Sequence, residues 1–140
     1  GDRISTLGVQ IGESNWLVDM TEISEVPEIP ALTPVPLTKP WYRGVANVRG
    51  NIYSITDLAA FFGQGESVQD AHSRVLLVGQ KFSFNAGLLV TRVLGLRDAK
   101  GWQHSEQDGM ERYQDDGGQT WTRLNIKQLL QQPEFLQIGA

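Results

Sequence analysis

The sequence predicts an all-β fold, built as one compact domain over residues 1–140 or as two very small, closely packed ones. Three observations lead to this prediction. The 15 glycines and 6 prolines favour a turn-rich β protein over a helical bundle. The apolar residues fall in short runs bounded by turn residues, as in successive strands. Two parts of the chain also resemble each other, which indicates a repeated unit.

The chain begins with a predicted hairpin. Residues 5–11 and 16–20 favour strands and flank the polar turn segment 12–15, and residues 23–26 continue the sheet. Residues 26–40 hold five of the six prolines, which favour extended polyproline geometry and cannot complete a central strand. We predict a stiff connection between strands here, with a ligand for a proline-binding module as the alternative.

A glycine-flanked segment predicts the next two strands. Gly44 and Gly50 supply backbone freedom at turns, while residues 45–48 and 52–55 have the composition of partly buried strands. Trp41 and Tyr42, just before this segment, are either a core plug or an exposed aromatic anchor, and we favour the plug.

A short helix is predicted to follow directly. Asp57 is a good N-cap, because its carboxylate can accept from the free amides of the first turn. Leu58, Phe61 and Phe62 share one helical face, and Gly63 is a natural left-handed stop. As a cap, Asp57 should contribute about 0.5–2 kcal/mol to stability.

The second half of the chain repeats this plan. Residues 75–78 and 82–96 are predicted to form a hairpin around residues 79–81. Residues 64–73 and 100–118 are polar, glycine-containing and poorly periodic, so we predict loops there.

Two alignments within the chain support the repeat. Residues 50–62 match residues 118–130 without a gap at an offset of 68, and the caps Asp57 and Asn125 coincide. Residues 128–136 are predicted to continue the second helix, which a proline limits or restarts.

A weaker match places residues 20–26 over residues 90–96 at an offset of 70. Similar offsets in the same order predict two copies of one unit, at about residues 5–65 and 73–132. Chance similarity among β-rich segments is the alternative.

Composition excludes several classes of protein. A net charge of −4 and a pI near 5.1 argue against a general nucleic-acid binder. The absence of cysteine excludes disulfides and thiolate metal sites and fits a cytoplasmic protein. No apolar run approaches the ~20 residues of a membrane span. The chain opens on Gly1 without methionine, which suggests a trimmed N-terminus.

Nothing in the sequence is arranged for catalysis. His72 and His104 lie in the predicted loops without metal spacing or a neighbouring nucleophile. Asp115 and Asp116 lack the spacing of a calcium loop, and no phosphate-binding loop is present. We therefore predict a protein that is not an enzyme and needs no metal or cofactor.

The segment after the proline-rich stretch carries a family signature. It resembles the N-x-R-G…D-L-x-x-x-x-G pattern of CheW-like adaptor domains. The matching residues are Asn47, Arg49, Gly50, Asp57, Leu58 and Gly63. Two positions depart from the pattern, since Ser54 replaces a frequent proline and Ala59 replaces a frequent arginine. Contacts ascribed to that arginine are not carried over.

The resemblance implies a fold and a function. CheW-like domains consist of two small five-stranded β-barrels with short helices, and they couple methyl-accepting chemoreceptors to a CheA-type histidine kinase without catalysis. The amino-acid sequence of residues 44–53 is most similar to that of the members that serve type IV pilus twitching motility. The sequence therefore implies a cytoplasmic adaptor that binds the kinase regulatory domain and the receptor tip.

The resemblance also implies a partner-binding surface. Ile23, Glu25 and Arg49 match family positions on the surface that couples to the receptor, and Asn47 of the family signature is predicted to bind a partner as well. The structural alternative for Arg49 is donation to carbonyls of the neighbouring turn. For Asp57 the alternative is phosphorylation, but no acidic residue adjoins it to hold the required metal ion.

A different class of function stays open as an alternative. An isolated OB- or SH3-like barrel could bind an oligonucleotide or polysaccharide through aromatic and basic side chains. The acidic balance of the chain and the lack of an aromatic-basic cluster argue against it.

Overall fold

The computed structural model describes residues 6–140, and this part of the chain is mostly β-strand. The strands are β1 (Thr6–Ile11), β2 (Ser14–Asp19), β3 (Ile23–Glu25), β4 (Tyr42–Val48), β5 (Asn51–Asp57), β6 (Arg74–Val78), β7 (Ala86–Val90), β8 (Arg92–Arg97), β9 (Gln103–Gln107), β10 (Met110–Gln114) and β11 (Thr120–Arg123). The α-helices are α1 (Leu58–Phe61), α2 (Ile126–Gln131) and α3 (Pro133–Leu136), and single 3₁₀ turns cover Met20–Glu22 and Gln80–Phe82. The predicted all-β class is confirmed.

Two sheets contain all of these strands. A six-stranded sheet has the order β8-β1-β2-β11-β10-β9, and a five-stranded sheet has the order β3-β6-β7-β5-β4. Each sheet has a central antiparallel hairpin, β1–β2 in one and β6–β7 in the other. In each sheet one strand adds parallel to this hairpin, β11 beside β2 and β5 beside β7.

The two sheets share one pairing plan, and they match the offsets seen in the sequence. Ser54 pairs with Ala86 in the five-stranded sheet. Thr122 lies 68 positions after Ser54, and Trp16 lies 70 positions before Ala86. These two residues pair in the same way in the six-stranded sheet. Each sheet therefore takes its central hairpin from one sequence copy and its flanking strands from the other. The boundaries predicted at residues 5–65 and 73–132 do not coincide with the sheets.

The predicted loop over residues 100–118 is wrong, because it contains the β9–β10 hairpin. The turn is Asp108-Gly109, and both residues have positive φ, 54° and 78°. Asp-Gly is a strong signal for a two-residue hairpin turn. The polar strand β9 has every side chain exposed, so it shows no hydrophobic alternation. With both strands of this hairpin, the larger sheet has six strands, one more than predicted.

Other predicted boundaries need smaller corrections. The first hairpin is confirmed from Thr6, and the predicted start at residue 5 lies outside the described residues. The strand predicted over residues 82–96 is two strands, β7 and β8, which separate at Thr91. The hydroxyl of Thr91 accepts from the Gly12 amide at 2.9 Å, which ties this bend to the β1–β2 turn.

Both helix N-caps predicted from the sequence are present in the structure. Asp57 accepts from the Ala60 amide at 3.4 Å, and Asn125 accepts from the Gln128 amide at 3.0 Å. Each cap begins a short helix after the strand predicted to precede it. Gly63 follows α1 with φ 78°, as its stop position requires.

Aromatic side chains pack α1 against α3. The Trp41 ring lies 5.0 Å from that of Phe61 and 6.4 Å from that of Phe135, which is buried. Trp16 stacks on Phe62 at 5.0 Å and joins this cluster to β2. Trp41 is therefore half-buried in an aromatic cluster, and Tyr42 is buried, in agreement with the favoured interpretation of a plug. Residues 26–40 connect β3 to β4 without forming a strand.

Candidate partner-binding surface

Arg49 lies at the tip of the β4–β5 hairpin. Arg49 and Gly50 form its two-residue turn with φ values of 54° and 86°. Positive φ at both positions gives a turn whose twist suits the flanking strands. The Asn47 side chain accepts from the Gly50 amide at 2.9 Å and closes the turn. The turn leaves 80% of the Arg49 side chain exposed.

The guanidinium of Arg49 contacts Glu25. Its Nη1 lies 2.7 Å from Glu25 Oε1, and the Glu25 side chain is 34% exposed. Glu25 belongs to β3 and Arg49 follows β4, and these strands are the two edges of the five-stranded sheet. The ion pair therefore joins the two edges at one point. Because the Arg49 side chain is largely in water, we expect the pair to contribute about 0–1 kcal/mol to stability.

The four predicted partner residues fall into two groups. Glu25, Asn47 and Arg49 are brought together at the hairpin tip by the contacts above. Ile23 is only 9% exposed and packs in the larger hydrophobic core, so little of its side chain is available to a partner. A contact role for these residues stays a prediction.

Sequence reasoning missed Ile52, which pairs across the hairpin with Asn47 and is 54% exposed. The signal was present in the alternation along β5. Tyr53 and Ile55 are buried, so Ile52 must face outward with Ser54. An exposed isoleucine beside an exposed arginine gives the tip both apolar area and charge, as interface anchors require. We call Glu25, Asn47, Arg49 and Ile52 the hairpin-tip surface.

The histidine and carboxylate side chains away from the hairpin tip are the other candidates for a functional site. His104 is on β9, not in a loop, where its ring lies 4.7 Å from that of Tyr113 and its Nε2 lies 3.5 Å from Glu111. Within residues 6–140 no group of histidine and carboxylate side chains could hold a metal ion. No helix in the same range is long and apolar enough to cross a membrane.

Asp115 organises the turn between β10 and β11. Its carboxylate accepts from Trp121 Nε1 at 3.0 Å and from the amides of Gln119 and Gly117 at 2.8 and 3.0 Å. These hydrogen bonds, led by that from Trp121, lower the pKa of Asp115 below its ordinary value of 3.8. Asp115 therefore holds this turn together.

We expect a titration followed by NMR to find the pKa of Asp115 below 3.8. Because the folded-state pKa is the lower one, the carboxylate stabilises the fold above pH 3.8, and this contribution is lost as the pH falls through the folded value. The Trp121 indole N–H resonance should titrate together with it. An Asp115 that titrates at or above 3.8 would contradict the hydrogen bonds described.

Comparison with known proteins points to one family. The model of the CheW-like domain family matches residues 5–134. Protein PilI of Pseudomonas aeruginosa is 39% identical over 93 residues, which are 66% of this chain and 52% of that protein. Protein FrzA of Myxococcus xanthus is 34% identical over 88 residues, 63% of this chain and 54% of that protein. Chemotaxis protein CheW of Thermotoga maritima is 32% identical over 94 residues, 67% and 61% of the two chains. The chain spans just over half the length of these relatives.

A solved structure has the same fold. The crystal structure of scaffolding protein TtCheW from Thermoanaerobacter tengcongensis superposes with a TM-score of 0.76, over 95% of this chain and 96% of that one, at 21% identity. The predicted resemblance is therefore confirmed, and so is the prediction that the protein is not an enzyme, since CheW-like proteins are non-catalytic scaffolds. From the family match and the shared fold, this chain belongs to the CheW-like family of chemosensory adaptor proteins.

Proposed function

We propose that this chain couples a methyl-accepting chemoreceptor to a CheA-type histidine kinase in the cytoplasm, in a type IV pilus system that controls twitching motility. Membership of the CheW-like family supports the adaptor role. The similarity to PilI supports the pilus system. The observation that carries the proposal is the hairpin-tip surface, where a CheW-family arginine is exposed beside an exposed isoleucine.

The chemistry of this surface suits docking. Arginine combines an apolar stem with a planar group that donates several hydrogen bonds, and it is enriched at interface hot spots. Glu25 holds the guanidinium in place before a partner arrives, which reduces the entropy lost on binding. The regulatory domain of the kinase contains a barrel homologous to those of this chain, and we expect that barrel to contact exposed strand edges of this chain. Leu96 on the edge strand β8 is 66% exposed and offers apolar area for such a contact.

We expect Arg49→Ala to weaken binding to the receptor tip or the kinase regulatory domain by about 1–3 kcal/mol, the loss typical of a hot spot. Its melting temperature should change little, because the Arg49–Glu25 pair is a surface ion pair. Titration calorimetry with each partner and a thermal melt test both statements.

Arg74→Ala is the matched control. Arg74 begins β6 at the end of the five-stranded sheet away from the hairpin tip, and its guanidinium donates to the carbonyls of Ala71 and Ser73. Equal losses of binding from the two variants would indicate nonspecific electrostatics. Unchanged binding with a lower melting temperature would make Arg49 a structural residue. Tight binding of single-stranded DNA instead of either protein would favour the isolated barrel module.

A further inference from the structure

A second surface lies beside helices α2 and α3. It is a groove of about 630 Å³ between the β6–β7 connection and helices α2 and α3. We call it the α2 groove. The side chains used below are Glu22, Lys81, Phe82, Phe84, Lys127, Leu130 and Leu136, all of which line it. None of them belongs to the hairpin-tip surface, so the inference does not depend on the proposed function.

The floor of the α2 groove is apolar and partly open to water. Phe84 is 37% exposed and Leu136 is 48% exposed, while Phe82 and Leu130 are half-buried. Pro133 begins α3 immediately after α2 ends, and this break turns Leu136 into the same groove as Leu130. Exposed apolar side chains gathered in a concavity mark a binding surface more often than scattered ones do.

Two cations border this floor. Lys81 and Lys127 are both exposed, and neither forms an ion pair with any residue from 6 to 140. The Lys81 ammonium lies 5.3 Å from the centre of the Phe82 ring, so it stands over the apolar floor. The groove therefore offers positive charge beside apolar area, although the whole chain carries a net charge of −4.

One buried carboxylate also lines the groove. Glu22 is only 8% exposed, and its Oε1 accepts no hydrogen bond from the described residues. Burial raises the pKa of Glu22, and repulsion from Asp19 adds to this, while Arg123 and Lys81 act in the opposite direction. An unpaired buried acceptor is costly, and an occupant of the groove that carried a donor would remove that cost.

We propose that the α2 groove binds an acidic amphipathic segment of another protein. Its apolar side chains would cover Phe84 and Leu136, its carboxylates would pair with Lys81 and Lys127, and one of its N–H or O–H groups would donate to Glu22. An anionic membrane fits less well, because a buried carboxylate lies among the residues of the groove.

The test uses this chain labelled with ¹⁵N and a synthetic amphipathic peptide of leucine and glutamate. A peptide of leucine and lysine, and vesicles of anionic phospholipid, serve as comparison ligands. We expect the acidic peptide to shift the amide resonances of residues 80–84 and 127–136. The double variant Lys81→Glu/Lys127→Glu should weaken binding by about tenfold or more, because attraction at two sites becomes repulsion.

The double variant Lys39→Glu/Lys100→Glu has the same net charge and changes only lysines outside the groove, so it should bind normally. Phe84→Ala tests the apolar floor and should also weaken binding, without any change of charge. The proposal is overturned if the acidic peptide shifts no resonances or shifts other regions, or if the lysine peptide or the vesicles bind as well. Equal losses from the two double variants would overturn it too.

Discussion

Gly44→Ala should lower the free energy of unfolding by about 2–5 kcal/mol. Gly44 has φ 112°, which an L side chain rarely adopts. A Cβ here would overlap the carbonyl oxygen of Thr33 and lie 2.9 Å from Cα of Pro34, so backbone would have to move. The movement would strain the two hydrogen bonds that join Thr33 to Val45, at 2.8 and 2.9 Å. Urea denaturation measures the loss.

Gly50→Ala is the control for this prediction. Gly50 also has positive φ, 86°, but a Cβ there would meet nothing within 4 Å. The Gly50→Ala variant should therefore lose only about 1–2 kcal/mol of stability, the cost of an L side chain at positive φ. If the two variants lose the same amount, the close approach of residues 33 and 34 to β4 does not constrain Gly44.

Asp57→Ala should cost about 2–4 kcal/mol, more than the 0.5–2 expected of a helix cap. The Asp57 side chain is fully buried. Besides capping α1, its carboxylate accepts from the Ser67 amide at 2.8 Å and from the Ser67 hydroxyl at 2.6 Å. The substitution would remove the cap and also free the loop that follows α1. Hydrogen exchange should show lost protection at residues 64–68 together with the lower stability.

Asn125→Ala provides the matched comparison, because Asn125 caps α2 at the equivalent position of the second copy. Asn125 is exposed and its side chain accepts only from Gln128 among the residues described. Its loss should stay within about 0.5–2 kcal/mol. Equal losses at residues 57 and 125 would show that the Ser67 contacts add nothing. An Asp57 variant that melts normally but fails to bind the kinase would instead identify the carboxylate as a partner contact.

Local features were predictable where one short segment carries the whole signal. The β1–β2 hairpin, the caps Asp57 and Asn125 and the break at Pro133 all depend on residues a few positions apart. The β9–β10 hairpin was missed because β9 is a polar edge strand with no buried face. Its Asp-Gly turn was the one local signal, and it outweighs the lack of alternation.

The candidate site was only partly predictable. The family signature identifies Arg49, and the alternation along β5 could have identified Ile52. The contact between Arg49 and Glu25 could not be foreseen, because it needs the two edges of one sheet to approach each other. The α2 groove likewise brings together Glu22, Lys81 and Lys127 from three distant parts of the chain.

The sequence alone determined the all-β class and the helix starts and predicted the repeated unit, since turn chemistry, strand composition and caps act over a few residues. Only the tertiary structure decided which of the two sheets takes the hairpin of each copy. The repeat gives both copies the same pairing register, so Ser54 beside Ala86 and Thr122 beside Trp16 are equivalent arrangements. Local signals cannot choose between pairing within a copy and pairing between copies. The packing of the whole chain makes that choice, and it exchanges the hairpins between the two sheets.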